Sequence, residues 1–125
     1  MRFAVVLIST MAAFATHAAQ AESGDITAGK AAFTRCAACH SITPGVNLVG
    51  PPLAGVVGRK VGSIANFRYS PALSSAHEAW TPERLSAWLA DPAKMYPGNR
   101  MPFNVQNEKD RRDLVAYLAS LSSTK

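Results

Sequence analysis

The chain has 125 residues, with 13 Lys+Arg against 8 Asp+Glu and a formal net charge of +5. A chain of this length holds one hydrophobic core and is too short for two. Its basic residues are scattered, with no dense run and no interleaved aromatic ladder, which argues against nucleic acid as a partner; a moderately cationic surface suits steering toward an acidic protein patch, or is ordinary solvation.

The first residues have the pattern of an export signal. Arg2 supplies a positive start, Phe3 to Phe14 is largely apolar although broken by Ser9 and Thr10, and Ala19-Gln20-Ala21 places small residues at a cleavage site. This predicts a signal peptide over residues 1–21, cut before Glu22, and a single domain over residues 22–125. The alternative is an uncleaved N-terminal anchor, but the apolar run falls short of the roughly 18 to 20 residues that span a bilayer. Cleavage would remove Arg2 and no acid, leaving a charge of +4. No other segment could cross a membrane. The mature chain is therefore expected to be exported and soluble, without stable membrane insertion, and in a bacterium periplasmic.

The first helix is predicted to begin near Asp25, a capping residue, and to run through Ile26, Gly29, Ala32 and Phe33 to Cys36. Gly29 costs about 1 kcal/mol against alanine inside a helix, which a closely approaching second helix would explain. The run Cys36-Ala37-Ala38-Cys39-His40 follows and uses both cysteines of the chain. Two cysteines three apart with a histidine directly after the second make the attachment signature of c-type haem. On one turn of helix the two thiols reach two vinyl groups on one edge of the porphyrin, and the next side chain brings its imidazole under the iron. Export would otherwise suggest a disulfide. A redox disulfide of this spacing belongs in a strand-helix-strand setting, which is missing here, and it gives His40 no role.

Turns follow at Pro44-Gly45 and Pro97-Gly98, with an extended stretch at Gly50-Pro51-Pro52. Val56-Val57 and Val61 are apolar but are cut off by glycines. A short helix is predicted to begin at Ser70-Pro71. The second main helix starts at Thr81-Pro82-Glu83, a hydroxyl cap followed by proline and an acid in the first turn. Leu85, Trp88 and Leu89 face inward together, and Pro92 ends the helix. The third begins at Asn107, with Asp110 placed as in a capping box, and carries the stripe Leu114, Val115, Leu118 and Leu121 with Tyr117 alongside. No sheet and no repeat is visible, so the fold class is all-α. Long loops count against a compact fold unless something else packs them; a porphyrin would.

His40 is the proximal iron ligand by its place in the motif. His17 lies in the signal, and His77 lies in a polar segment expected to be exposed. Of four methionines, Met1 and Met11 leave with the signal. Met101 sits in Pro97-Gly98-Asn99-Arg100-Met101-Pro102-Phe103, where the prolines lower the entropy cost of holding a thioether toward a metal. Met95 is read as core filler. His40 and Met101 together would fill both axial positions, leaving no place for a substrate or dioxygen. The chemistry left is one-electron exchange, with the thioether raising the potential. On this reading the chain is no enzyme.

These residues, in this order, resemble the class I cytochromes c, the mitochondrial type and its bacterial periplasmic relatives. The resemblance runs from about Gly24 to Leu121 through the Gly29 and Phe33 helix, the haem-attachment run, Gly50-Pro51-Pro52-Leu53, Gly58-Arg59-Lys60, Phe67-Arg68-Tyr69, Trp80, the Met101 loop, and Asp113-Leu114 to Tyr117-Leu118. It implies three main helices and loops wrapped round one haem c, covalently held through Cys36 and Cys39. It also implies that the Pro51 carbonyl accepts from the His40 ring and that Arg59, Tyr69 and Trp80 hydrogen-bond the haem propionates. Asn99 would order the methionine loop, Phe103 would shield the haem edge, and the first and last helices would cross at Gly29. Trp88 stands where mitochondrial forms carry a tyrosine near the methionine sulfur, and Leu73 replaces an asparagine. The plainer alternatives are core aromatics at Tyr69 and Trp80 and a solvated turn at Arg59-Lys60.

The function implied is that of a monomeric one-electron carrier. Its redox protein partners would be a membrane oxidoreductase, an oxidase or a periplasmic dehydrogenase, docking at the exposed haem edge near Arg35, Lys94 and Arg100. Two rivals stand beside it: a dedicated acceptor for one periplasmic dehydrogenase, and a haem enzyme or gas sensor with an open iron position.

Overall fold

A computed structural model describes residues 23–121; the expected signal over residues 1–21 lies outside them. Five helices follow one another: α1 (Ile26–Phe33), α2 (Pro71–Ser74), α3 (Pro82–Ala90), α4 (Pro92–Met95) and α5 (Glu108–Ser120). The described residues contain no strand, only one antiparallel bridge between Lys60 and Ala79. The fold is all-α, as the sequence implies. Among the described residues, no helix is long and apolar enough to cross a membrane.

Each start is capped by a side chain that accepts a backbone N–H left over at a helix N-terminus. Asp25 accepts from Ala28 at 3.0 Å, Thr81 from Arg84 at 3.1 Å, Asn107 from Asp110 at 3.1 Å, and Ser70 serves α2. Two boundaries differ from expectation. Regular helix in α1 stops at Phe33, and the chain beyond tightens into bonds from Thr34 to Ala31, Arg35 to Ala32 and Cys36 to Phe33. The Thr34 hydroxyl also donates to the Ala31 carbonyl at 2.8 Å, competing for an acceptor at the helix end. Pro92 does end α3, but it also opens α4, with the Asp91 carboxylate accepting from Lys94 at 3.1 Å. Proline suits the first helical position because its missing N–H is unneeded there.

The frame is the crossing of α1 on α5. A Cβ on Gly29 would run into the Asp113 carbonyl oxygen and the Tyr117 Cβ, and one on Gly24 would strike the Arg112 carbonyl. Phe33 and Tyr117 meet beside this crossing with ring centroids 5.6 Å apart. Leu85, Trp88 and Leu89 of α3 join Leu114, Val115 and Leu118 of α5 in the core, where Leu114 is only 2% exposed. The segment after Val56 is tied in by backbone bonds from Gly58 to the Trp80 carbonyl and from Trp80 to the Arg59 carbonyl.

Asp113 locks the crossing electrostatically. Its carboxylate accepts the Asp25 N–H at 2.8 Å and the Lys109 ammonium at 2.6 Å. The Lys109 hydrogen bond, then the Asp25 N–H, holds its carboxyl below the ordinary aspartate range. A carboxyl depressed in the folded state stabilises the fold above its unfolded value of about 3.9, and that contribution disappears as pH falls through the lower folded value. Asp113→Asn keeps an oxygen for the Asp25 N–H and loses the charge. Denaturant unfolding across pH should show the variant less stable at neutral pH, with the gap closing as pH drops below about 4. A gap that persists unchanged into acid would mean that the charge plays no part.

Candidate haem site

The residues after α1 carry the two thiols. Cys39 and His40 are held by backbone bonds to the Cys36 carbonyl at 3.0 and 2.9 Å, which rolls the segment into a turn. No disulfide joins the two cysteines; Cys39 is exposed and Cys36 half-buried. Burial pushes the Cys36 thiol up, against the opposing pull of Arg35.

His40 is fixed by the segment that faces it. Its Nδ1 lies 2.7 Å from the Pro51 carbonyl, which can only accept, so the ring proton sits on Nδ1 and the Nε2 lone pair is free. That is the contact the resemblance implies at Pro51. Burial lowers the His40 pKa, and the Pro51 carbonyl opposes that shift. Gly50, which sequence reasoning treated only as part of an extended stretch, leaves the room for this ring: an added Cβ would lie 2.6 Å from Nδ1 and 2.8 Å from Nε2. Pro52 serves the neighbouring cation. Both terminal nitrogens of Arg59 donate to the Pro52 carbonyl at 2.8 Å. No carboxylate among the described residues pairs with this guanidinium, and burial lowers its pKa. Tyr69 lies close enough to feel that charge, and its hydroxyl accepts the Ile64 N–H at 3.2 Å.

Met101 belongs to a loop that is pinned from within. The Asn99 side chain donates to the Tyr96 carbonyl at 2.9 Å, and its oxygen accepts the Met101 N–H at 2.8 Å. Met101 is half-buried against the core; Met95, read from sequence as filler, packs there as well. Phe103 is exposed, with the Arg35 guanidinium 5.3 Å from its ring centroid, a cation–π contact not foreseen from sequence. Trp80 and Trp88 are buried edge to face at 5.6 Å, and Tyr96 leans on both at 6.3 and 6.0 Å. Trp80 is thus a core aromatic whatever else it does. His77 is exposed. Among the described residues no cluster of three or more His, Cys, Asp or Glu could hold a metal ion by itself.

This donor set fits a haem better than a bare metal or a disulfide. Two unpaired thiols share a turn with an imidazole whose Nε2 is open, and a partly buried guanidinium has neutral oxygen where an anion would satisfy it. Leu53, Val57, Leu73, Met95 and Met101 are left half-buried at the margin of the core, the apolar fringe that a porphyrin would cover.

Known proteins agree. A family model described as Cytochrome c matches residues 26–122. Cytochrome c2 iso-2 of Magnetospirillum fulvum is 45% identical over 91 residues, spanning 72% of this chain and 95% of that protein. Cytochrome c2 of Agrobacterium tumefaciens is 40% identical over 107 residues, spanning 82% and 96%. Among solved structures, cytochrome cH from Methylobacterium extorquens superposes with a TM-score of 0.73 at 41% identity, covering 78% of this chain and 99% of that one. The chain belongs to the cytochrome c family. It is a class I cytochrome c with one covalent haem c, for which Cys36 and Cys39 are the only thiols available.

Proposed function

We propose that this chain is an exported periplasmic electron carrier whose haem iron is held between His40 and Met101. The observation that carries the reading is the pinned loop: Asn99 fixes the Met101 backbone at 2.8 Å, so the thioether is presented at low entropic cost. On the other side the Pro51 carbonyl holds the His40 ring and makes Nε2 a better ligand. Haem with histidine and methionine ligands exchanges one electron and leaves no coordination position for a substrate. Around it, Arg59, Tyr69 and Trp80 would take the propionates, while Trp88 and Phe103 would wall the methionine side. The exposed edge would lie beside Cys39 and Phe103, with Arg35, Lys94 and Arg100 presenting positive charge there to an acidic redox partner. Contacts of this kind are small and short-lived, as a carrier that must leave its partner requires.

The experiment is spectroscopic. Met101→Ala should abolish the weak near-infrared sulfur-to-iron band of the oxidised protein, and Met95→Ala should leave it intact; the reverse would make Met95 the ligand. Carbon monoxide added to the reduced native protein at neutral pH should bind slowly or not at all. Rapid binding would instead place this chain among haem enzymes or gas sensors.

A further inference from the structure

Beyond the ligands themselves, three side chains join around one phenol. The Tyr96 hydroxyl accepts from Arg84 Nη2 at 2.6 Å and donates to Glu78 Oε2 at 3.3 Å. Arg84 Nη2 also lies 3.8 Å from Glu78 Oε1, and the His77 N–H donates to Glu78 Oε2 at 3.0 Å. The three come from separate parts of the chain: Glu78 from the segment bridged to Lys60, Arg84 from α3, and Tyr96 from the end of α4. Tyr96 stands between this network and the Met101 loop. Its ring leans on Trp80 and Trp88, and its carbonyl accepts both the Asn99 N–H at 3.1 Å and the Asn99 side-chain amide at 2.9 Å. Asn99 then holds the Met101 N–H.

We propose that Glu78, Arg84 and Tyr96 are positioning residues that latch the Met101 loop shut, so that the phenol, not the loop alone, keeps the thioether on the iron. The proposal rests on Met101 being a ligand. On its N-terminal side the Met101 loop is linked to α3 through Tyr96, whose side chain anchors one end and whose carbonyl anchors the other; on its C-terminal side the Val105 N–H donates to the Leu89 carbonyl at 2.7 Å. Burial raises the Tyr96 pKa, so the phenol stays protonated at neutral pH and remains able to donate to Glu78. Arg84 supports the same geometry: its Nε is buried without a partner, so the guanidinium finds its hydrogen bonding at the Tyr96 end.

A latch sets the fraction of molecules in which the loop stands open. An external ligand that needs the open state binds with an apparent affinity reduced by that fraction. Removing the latch should therefore make the iron easier to capture without altering the closed coordination. The test is an imidazole titration of the ferric holoprotein, followed by loss of the near-infrared sulfur-to-iron band. Tyr96→Phe keeps the ring against both tryptophans and removes only the hydroxyl. It should retain the band at rest and lower the imidazole midpoint about fivefold, the ratio expected for one typical net hydrogen bond. Adding Glu78→Ala to Tyr96→Phe should lower it no further, because the hydroxyl through which that carboxylate reaches the loop is already gone. Asp113→Asn, which weakens the α1–α5 crossing and removes no bond of this network, should leave the midpoint where it is. If the native protein shows the band and Tyr96→Phe has the native midpoint, or if the Glu78 and Tyr96 effects multiply, the latch is overturned while Met101 ligation stands. A native protein without the band would remove both.

Discussion

Replacing Cys36 and Cys39 together with alanine should give a chain that shows no haem stain after denaturing electrophoresis and little helix by circular dichroism. The first result follows from covalent chemistry, because the sequence holds no other thiol. The second follows from how little the polypeptide can do alone. Isolated helices shorter than roughly 12 to 15 residues are marginal in water. Here α1 has 8 residues, α3 has 9 and only α5 reaches 13. A domain of about 100 residues also hides a smaller share of its surface than a larger one. Leu53, Val57, Leu73 and Met101 are left half-covered by protein, a fringe that a porphyrin held by two thioether bonds would cover. Haem that binds only through His40 and Met101 would wash out on denaturation, so the stain separates covalent from merely coordinated cofactor. A stain that survives the double replacement would reject attachment at these cysteines. Full helix content without haem would show that the chain's own core suffices.

The parts of this protein legible in its sequence are those written in short spacings. Cys36, Cys39 and His40 lie within one turn, and Asp25, Ser70, Thr81 and Asn107 each sit next to the helix they cap. Gly29 was legible because a glycine inside an amphipathic helix needs a reason, and the α5 backbone supplies one. What escaped depends on contacts that no local pattern carries. Gly50 is special only because the His40 ring folds over it. Tyr96 meets Arg84 and Glu78 across 12 and 18 residues, and nothing in the surrounding sequence announces that a phenol will sit between them. Arg35 is exposed charge, as expected, but its place over the Phe103 ring is a contact that no local pattern carries. The end of α1 and the start of α4 were missed for a different reason. Thr34 and Pro92 each have two common uses at a helix boundary, and tertiary context chooses between them.

Gly29→Val should destabilise the holoprotein by about 3 kcal/mol or more, a large share of the roughly 5 to 15 kcal/mol that holds a small domain folded. The group in the way is a backbone carbonyl, that of Asp113, backed by the Tyr117 Cβ, so no rotamer change can relieve the clash. Either α1 lifts from α5, exposing Phe33 and Leu114, or the crossing shifts and strains the Asp25 to Asp113 hydrogen bond. Gly29→Ala makes the sharper experiment because two effects oppose. Alanine favours helix over glycine by about 1 kcal/mol, while its methyl group meets the same carbonyl. Ala31, exposed on the same helix, measures the first effect alone. In denaturant unfolding, Ala31→Gly should cost about 1 kcal/mol, and Gly29→Ala, the opposite exchange, should also cost stability. A Gly29→Ala protein more stable than the native one would show that the helices have room to part, and that the glycine is not what lets them touch.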